Sequence, residues 1–311
     1  MRLRLTVVVP TYRRPQTLAS NLTAVLAQVE EVAADPALAL EADVLVVDND
    51  ASGSARSTVE GFGSERVRYV VEPEPGITAA RNRGLDECTG SDLLAFVDDD
   101  ETPEPEWLAH LVRTWAVTEP AAVMGRVVSA YESDPDPWVL AGRFFVRVRR
   151  ETGTEIDVAA CGNLLLDLRQ VRELGVRFDP RFGLTGGEDT MFSRQLRARG
   201  GRIVWCDESV AVDVVPDDRA NRRWVLDRAR RSGNSSSLID IALAAPGAPR
   251  LAARVRAGGG GALRLAAGHA RHLLGSATGS AVHQARGLRT ASRGRGMLDA
   301  VGGRVIEEYA R

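Results

Sequence analysis

The chain contains no lysine, so all 40 of its permanently cationic side chains are arginines. The formal net charge of −2 is close to zero, which argues against a polyanionic partner held by the charge of the whole chain. Acidic residues are in turn absent from residues 241–298, a stretch that holds nine arginines. The first two thirds of the chain is therefore acidic, and the region near the C-terminus is basic.

Cysteines and long apolar runs are also scarce. Cys88, Cys161 and Cys206 are odd in number and far apart, with neither a CxxC pair nor the spacing of a zinc site. We therefore predict reduced, buried thiols in a cytoplasmic protein. No apolar run approaches the roughly 20 residues that span a bilayer, and the first ten residues are too short and strand-like for a signal peptide. Attachment to the inner face of a membrane would then be peripheral.

Strand and helix patterns alternate along the first half of the chain. Continuous apolar, β-branched runs predict strands at residues 3–9, 43–47, 67–71, 93–97 and 122–128, and apolar residues at helical spacing predict helices at 14–32, 77–87 and 105–117. This alternation predicts an α/β fold with a doubly wound, mostly parallel sheet. Such sheets bind ligands beyond the carboxyl ends of their strands.

The second half of the chain is less regular. Residues 131–154 predict an irregular crossing segment, followed by strands at 163–166 and 202–206, helices at 168–174 and 188–199, and a glycine-bearing loop at 182–187. After residue 215 only helices are predicted, first at 222–241. The four consecutive glycines at 258–261 predict a short flexible joint that breaks the remaining helices.

Three adjacent carboxylates, Asp98–Asp100, directly follow the predicted strand 93–97. Adjacent carboxylates repel one another, and a hard divalent cation is the usual compensating partner. The same residues could instead form a turn and cap the next helix, with Thr102 and Pro103 at its start. The triplet alone leaves both interpretations open.

Two further groups of polar residues allow both a functional and a structural interpretation. Asp48–Asp50 ends a predicted strand, where it could bind a base or ribose or form an Asx-turn. Gly76 and Arg81 could receive a diphosphate at a helix N-terminus, or mark only a turn and a surface charge.

The same ambiguity applies near the predicted helix 188–199 and at one tryptophan. The run Gly186–Asp189 could place a general base at a cleft or merely cap the helix. Trp205 is either a platform for a sugar or part of the core.

Together, these motifs resemble the family 2 glycosyltransferases with the GT-A fold. The matching segments, in chain order, are residues 7–13 (VVVPTYR), 46–49 (VVDN), Gly76 with 80–84 (ARNRG), 96–100 (FVDDD), 162–163 (GN) and 187–189 (GED). The resemblance covers about residues 3–215. It implies a catalytic domain over residues 1–215, whose Rossmann-like half, 1–101, binds the nucleotide sugar and whose half 102–215 binds the acceptor. Residues 216–311 then form a basic helical extension.

The resemblance also implies a reaction and its residues. An inverting enzyme would move one sugar from a nucleoside-diphosphate sugar to an acceptor hydroxyl, with Asp189 as catalytic base, Glu188 beside it, and Asp100 as the ligand of Mg²⁺ or Mn²⁺. The nucleotide sugar would contact Pro10, Thr11, Tyr12, Arg13, Asp48, Asn49, Asp50, Gly76, Arg81, Asp98 and Asp99. The donor sugar or the acceptor would contact Gly162, Asn163, Gly187, Glu188 and Trp205.

The sequence departs from the family at one position. Many relatives carry a metal-binding or diphosphate-binding histidine where this chain has Val214, so Asp213, Asp217 or the diphosphate itself would have to take its place. The incomplete match to the QxxRW signature of processive synthases favours a single transfer. The alternatives are a catalytically impaired, nucleotide-sugar-binding partner subunit and a sugar-phosphate nucleotidyltransferase, although Pro10–Arg13 is not the glycine-rich loop of the latter.

The acceptor class and the role of the basic region stay open. A lipid-linked glycan and a natural product are both candidate acceptors. Residues 241–298 could contact anionic lipid at a membrane surface, or serve as a lid or homodimer element. Nucleic acid is a poor partner, because no aromatic residue interrupts the basic region before Tyr309.

Overall fold

A computed structural model describes residues 2–307, and eight strands form one sheet in it. The strands are β1 (Leu3–Thr11), β2 (Leu40–Asp48), β3 (Val67–Val71), β4 (Leu93–Val97), β5 (Glu101–Pro103), β6 (Ala122–Tyr131), β7 (Asn163–Asp167) and β8 (Ile203–Val215). Their order is β3-β2-β1-β4-β7-β6-β8-β5. Strands β1–β4 pair in parallel, whereas β7 is antiparallel to β4 and β6, and β5 is antiparallel to β8. The predicted α/β sheet is confirmed, and its antiparallel part is new.

Ten α-helices and one short 3₁₀ turn, Pro180–Phe182, accompany the sheet in the described residues. The helices are α1 (Pro15–Ala34), α2 (Arg56–Gly61), α3 (Ile77–Glu87), α4 (Trp107–Thr118), α5 (Pro137–Gly142), α6 (Leu168–Glu173), α7 (Glu188–Ala198), α8 (Arg222–Leu243), α9 (Ala248–Thr278) and α10 (Ala281–Val301). The prediction of an irregular segment at 131–154 is wrong where α5 forms. Asp136 caps α5 by accepting a hydrogen bond from the backbone N–H of Trp138 at 2.8 Å, with Pro137 at its first position.

The sheet has a hydrophobic layer on each face. Because side chains alternate along a strand, Val7 and Val9 pack with α1 and α4, while Val8 packs with α3 and α7. Trp107 is the largest fully buried side chain, followed by Phe96, Phe178 and Phe192. Both faces of β1 and β4 are thus covered, which explains why their sequences are continuously apolar. The carboxyl ends of β1, β2 and β4 meet at one edge of the sheet, where polar residues follow each strand.

The chain divides into two compact units. The first comprises Met1–Ser129, Arg147–Gly183 and Glu188–Val214, and the second comprises Ala130–Val146, Leu184–Gly187 and Val215–Arg311. The predicted boundary after residue 215 lies next to the last of these junctions, but two internal segments join the second unit. That unit has its own core, in which the ring of Phe145 stacks on Trp224 with centroids 5.8 Å apart.

The predicted break at residues 258–261 is wrong, because α9 runs without interruption from Ala248 to Thr278. A Cβ added to Gly261 would lie 2.9 Å from the carbonyl oxygen of Gly294 in α10, and one added to Gly294 would lie 2.6 Å from that of Gly261. Packing of the two backbones at this distance offsets the poor helix propensity of glycine. Within residues 2–307, no helix is both long and apolar enough to cross a membrane.

Candidate active site

The triplet Asp98–Asp100 forms a tight turn between β4 and β5, in which the N–H of Glu101 donates to the carbonyl oxygen of Asp98 at 3.1 Å. The helix-cap interpretation is wrong. The next helix, α4, begins at Trp107, and its N-cap residue is Glu106. The chain enters β5 instead because Glu101 and Pro103 are buried and pair with Asp213 and Ala211 of β8. The three aspartates therefore form the turn at the end of β4 and do not start a helix.

Asp99 is the buried member of the triplet, with 6% of its surface exposed. Its carboxylate accepts hydrogen bonds from Thr11 Oγ1, at the end of β1, at 2.6 Å and from Arg14 at 3.2 Å. Burial raises the pKa of Asp99 to about 6, although Thr11 and Arg14 oppose the shift. Asp99 thus fastens the end of β4 to the end of β1.

Asp98 and Asp100 keep part of their surface open to solvent. Arg14 donates to Asp100 at 2.9 Å, and Arg81 donates to Asp98 at 3.2 Å. Burial raises the pKa of Asp98, Arg81 opposes the rise, and the charges of Asp100 and Asp189 add to it. Each of these two aspartates is therefore paired with an arginine.

Arg81 connects the end of β4 to the start of α7. Its guanidinium, on α3, is almost fully buried, lies 5.8 Å from the ring of Phe178, and donates to Glu188 at 2.5 Å as well as to Asp98. A buried arginine held between two carboxylates has a fixed position and keeps its charge. The geometry thus brings together three of the predicted site residues through one side chain.

Asp189 is the second residue of α7 and is half-buried. One of its carboxylate oxygens accepts from the backbone N–H of Thr190 at 2.6 Å. Its charge raises the pKa of both Asp98 and Arg81, so Asp189 lies near the acidic turn. Gly187, which belongs to the second unit, adopts a positive φ of 92° and lies against Ser235 and Ile239.

The polar residues after β2 hold their own loop together. Asp48 is fully buried and accepts from the N–H groups of Ala55 and Asp50 at 2.7 and 3.0 Å and from the hydroxyl of Tyr69 at 2.8 Å. The Asx-turn interpretation therefore describes Asp48. Asp50, two residues after Asp48, forms an ion pair with Arg13 at 2.9 Å. This hydrogen-bonded pair holds the pKa of Asp50 well below its usual range.

Asn49 joins this loop to the one that begins α3. Its amide donates to the carbonyl oxygens of Glu72 and Glu74 at 2.9 and 2.6 Å, and its oxygen accepts from the N–H of Gly76 at 2.9 Å. Gly76 has a φ of 124°, and a Cβ there would lie 3.1 Å from the carbonyl oxygen of Gly183. The two loops are thus shaped by Asn49 and by the close approach that Gly76 allows.

The end of β1 leads into an exposed arginine. Pro10 is buried, whereas Tyr12 is half-buried and has the guanidinium of Arg13 5.0 Å from its ring centroid. The side chain of Arg13 is 63% exposed, and its backbone φ of 55° is unusual for a residue other than glycine. Arg13 is therefore the cation at this edge of the sheet that is most open to a ligand.

Several residues predicted to contact sugar lie in the interior instead. Asn163 is fully buried: its oxygen accepts from the indole N–H of Trp107 at 2.9 Å, and its amide donates to Arg126 and Ser209. Trp205 is 4% exposed and packs in the core, as its alternative interpretation held. Gly162 faces the carboxylate of Glu101, which a Cβ would approach to 2.5 Å. All three residues are therefore buried in the interior of the first unit.

The donor atoms at the acidic turn suit a divalent cation. Mg²⁺ and Mn²⁺ prefer oxygen ligands, which the partly exposed carboxylates of Asp98 and Asp100 supply. Among residues 2–307, no group of three or more His, Cys, Asp or Glu residues is placed to hold a metal. Val214 is 45% exposed and offers no ligand, and Asp213 is paired with Arg147 at 2.5 Å. In the second unit, Asp217 accepts from Ser133 at 2.6 Å. The protein therefore supplies few ligands, and a diphosphate or water would complete the set.

Two residues near the acidic turn were not predicted from the sequence. Arg14 contacts both Asp99 and Asp100, and its place directly after Arg13 in the sequence was the available signal. Glu101 extends the acidic run to four residues, and its carboxyl is buried, which raises its pKa well above the usual range. Arg14 pairs with two carboxylates of the acidic turn, and the buried carboxyl of Glu101 directly follows the turn in the chain.

Comparisons with known proteins identify the family of this chain. A family model described as glycosyl transferase family 2 matches residues 6–175. The succinoglycan biosynthesis protein ExoM of Rhizobium meliloti is 38% identical over 237 residues, which cover 75% of this chain and 74% of that protein. The glucosyl-dolichyl phosphate glucuronosyltransferase of Haloferax volcanii is 32% identical over 260 residues, covering 77% of this chain and 78% of that protein.

Solved structures show the same fold at low sequence identity. TarS of S. aureus has a TM-score of 0.55 at 16% identity, and GalNAc-T7, solved with UDP, GalNAc and Mn²⁺, has a TM-score of 0.55 at 14% identity. The matches cover 78% and 77% of this chain, which spans 40% and 50% of those two chains. The sheet and the family match together show that this chain belongs to glycosyl transferase family 2 and is a glycosyltransferase with the GT-A fold.

Proposed function

We propose that this glycosyltransferase moves a single sugar, with inversion, from a nucleoside-diphosphate sugar to an acceptor hydroxyl. The observation that carries the proposal is the pair of contacts made by Arg81, which joins Asp98 at the end of β4 to Glu188 at the start of α7. Asp189, the proposed base, directly follows Glu188. One buried side chain thus joins the acidic turn to the residue directly before the proposed base, and a fixed geometry of this kind favours displacement at a sugar diphosphate.

The donor is proposed to bind along the ends of β1, β2 and β4. Arg13, which is exposed, and Arg14, which is held by the acidic turn, carry the positive charge that a diphosphate needs. Asn49 and Asp50 keep the loop beside the nucleotide in shape, and Thr11 fixes Asp99. Asp100, with Asp98, would hold Mg²⁺ or Mn²⁺, which when bound supplies charge that neutralises the departing diphosphate.

Asp189 is proposed to accept the proton of the acceptor hydroxyl. As that O–H bond breaks, the hydroxyl oxygen forms a bond to the anomeric carbon from the face opposite the diphosphate. The bond between the anomeric carbon and the diphosphate oxygen breaks, and the nucleoside diphosphate leaves with the electron pair. Arg14 stabilises the charge that develops on the leaving group. One displacement of this kind inverts the anomeric configuration.

The acceptor is proposed to be a growing glycan, carried on a lipid or free. The relatives named above support this class, since one is named for succinoglycan biosynthesis and another for a glucosyl-dolichyl phosphate substrate. A natural-product acceptor remains the alternative. The incomplete processive signature supports one transfer per acceptor.

A donor panel tests the proposed activity. Purified protein is incubated with UDP-, GDP- and dTDP-sugars, with and without Mn²⁺, and release of nucleoside diphosphate is followed. We expect one nucleotide class to be cleaved, and only with the metal. If none is cleaved or bound, the proposed transfer is contradicted, whereas binding without cleavage would favour the impaired, nucleotide-sugar-binding partner subunit.

The base is tested by Asp189→Asn, which keeps the shape of the side chain and removes its basicity. Turnover should fall about 10²–10⁴-fold, because general-base catalysis contributes that much, while affinity for the nucleoside diphosphate stays unchanged. Asp86→Asn is the matched control, since Asp86 is 57% exposed and pairs with Arg177 on the surface. Full turnover by the Asp189 variant would refute the assignment of the base.

A further inference from the structure

The outward side of α9 is apolar. Its five large hydrophobic side chains that face solvent are between 55% and 69% exposed: Leu251, Val255, Leu263, Leu273 and Leu274. The alanines at 252, 262, 266, 270 and 277 are also exposed. At about 100° per residue these positions cluster on one side of the helix. A surface helix normally exposes its polar side and buries its apolar side, so α9 is reversed.

The inward side of α9 explains why the leucines are left outside. The residues of α9 that are buried are all alanine or glycine: Ala253, Ala257, Gly261, Gly268 and Gly275. They pack on α10 so closely that a Cβ on Gly275 would lie 2.5 Å from the backbone nitrogen of Gln284. There is no room for a leucine on this side. The large apolar residues of α9 therefore have no part in the core of the second unit.

The charge around the apolar side has a single sign. Five arginines lie on α9, and no aspartate or glutamate occurs from residue 241 to 298. With about 3.6 residues per turn, Arg254 and Arg256 fall on the two borders of the apolar side. An apolar stripe with arginines at its borders suits a lipid surface, which has an apolar interior and negatively charged headgroups.

A cleft at the C-terminal end of α10 adds positive charge beside α9. It has a volume of about 500 Å³ and is lined by Leu265, His269, Arg295, Leu298, Asp299 and Arg304. Its one acid, Asp299, is paired with Arg230 at 2.7 Å, so the two lining arginines leave the cleft positive. A phosphate headgroup is the ligand that such a cleft would receive.

We propose that the outward side of α9 lies flat in the surface of an anionic lipid bilayer. The exposed leucines and valine enter the boundary between headgroups and acyl chains, and the arginines contact lipid phosphates. A second copy of this chain is the other candidate occupant. It is disfavoured because two stripes edged only by arginine would repel each other. The proposal does not depend on the proposed sugar transfer.

Vesicle sedimentation of the full chain tests the proposal. We expect binding to phosphatidylcholine vesicles that contain about 30% phosphatidylglycerol, little binding to phosphatidylcholine alone, and release at about 0.5 M salt. The variant L263Q/L273Q/L274Q should lose at least about tenfold in vesicle affinity, because its apolar contact is removed. The variant R254Q/R256Q should also lose affinity and become less dependent on salt.

The control variant is V117Q/V148Q, which changes two valines that are 84% and 65% exposed in the first unit. It should bind anionic vesicles as the unchanged protein does, and circular dichroism should show all variants folded. Equal binding to both vesicle types, or retained binding by the triple variant, would overturn the proposal. The proposal would also be overturned if the unchanged protein bound no vesicles and formed a dimer in light scattering that the triple variant did not form. The outward side of α9 would then contact a second copy of the chain.

Discussion

Asn163 shows how a single residue can carry a family motif and still act from the interior. It joins β7 to Trp107 of α4 and to the backbone of β6 and β8 through three hydrogen bonds between 2.9 and 3.1 Å. The sequence placed it near the sugar because it follows Gly162 in the matched motif. Its full burial places it instead among the groups that hold the antiparallel strands in register.

Asn163→Ala should lower the free energy of unfolding by about 2–4 kcal/mol, because it leaves the indole N–H of Trp107 and two carbonyl oxygens without their partner. Urea unfolding measures the loss. Asn221→Ala is the comparison: Asn221 is exposed and caps α8 by accepting from Trp224 N–H at 3.0 Å, so about 1 kcal/mol is expected. If Asn163→Ala leaves the free energy of unfolding unchanged and raises the KM for the donor, Asn163 contacts the sugar after all.

The acidic turn shows what residue type alone left undecided. Three adjacent aspartates suit both a helix cap and a metal site, and the sequence did not separate them. The pairing of Glu101 and Pro103 with β8 removes the cap interpretation. Arg14, Thr11 and Arg81 reach the three carboxylates from segments far away in sequence. Contacts of that range cannot be read from local spacing.

At the scale of elements, α9 and α10 show how glycine can strengthen a helix pair. Intrinsic propensity predicts that four glycines in a row end a helix. That expectation fails because Gly261 and Gly294 let two backbones come close enough to pack directly. The energy of this packing belongs to the pair of helices, so neither helix shows it by itself.

Two neighbouring substitutions in α9 separate propensity from packing. A Cβ added to Gly259 would meet no other atom within 4 Å, so Gly259→Ala should raise the free energy of unfolding by about 0.5–1 kcal/mol. Gly261→Ala should lower it by about 1–3 kcal/mol, since the added Cβ would lie 2.9 Å from the carbonyl oxygen of Gly294. Chemical unfolding of both variants gives the comparison. Equal effects of the two changes would show that α9 and α10 are not closely packed.

At the scale of the whole molecule, binding of a nucleoside diphosphate should stabilise the folded chain. At about 100 times its dissociation constant, a ligand adds about 2.7 kcal/mol to the free energy of unfolding, which raises Tm by about 3–6 °C in a chain of this size. Thermal shifts with UDP, GDP and dTDP, each with Mn²⁺, measure this. We expect one base to give the full shift and EDTA to reduce it.

Asp100→Asn provides the control for the metal in that experiment. This variant should lose the part of the shift that depends on Mn²⁺, because it removes a carboxylate oxygen donor. The variant Asp86→Asn changes an exposed aspartate of α3 and should retain the full shift. A shift that is the same with EDTA, or the same in the Asp100 variant, would contradict the proposed ligand.

The sequence by itself determined which segments form the parallel strands and the helices beside them, because a strand buried on both faces and a helix with one apolar face leave local patterns in the sequence. It also identified the family, since six weak motifs in a fixed order are together specific. Only the tertiary structure decided which of the predicted site residues are buried and which other residues they contact. Burial and pairing, as for Asn163, Asp48 and Trp205, depend on segments far apart in the chain. The same holds for α9, whose glycines face a neighbour and whose leucines face outward.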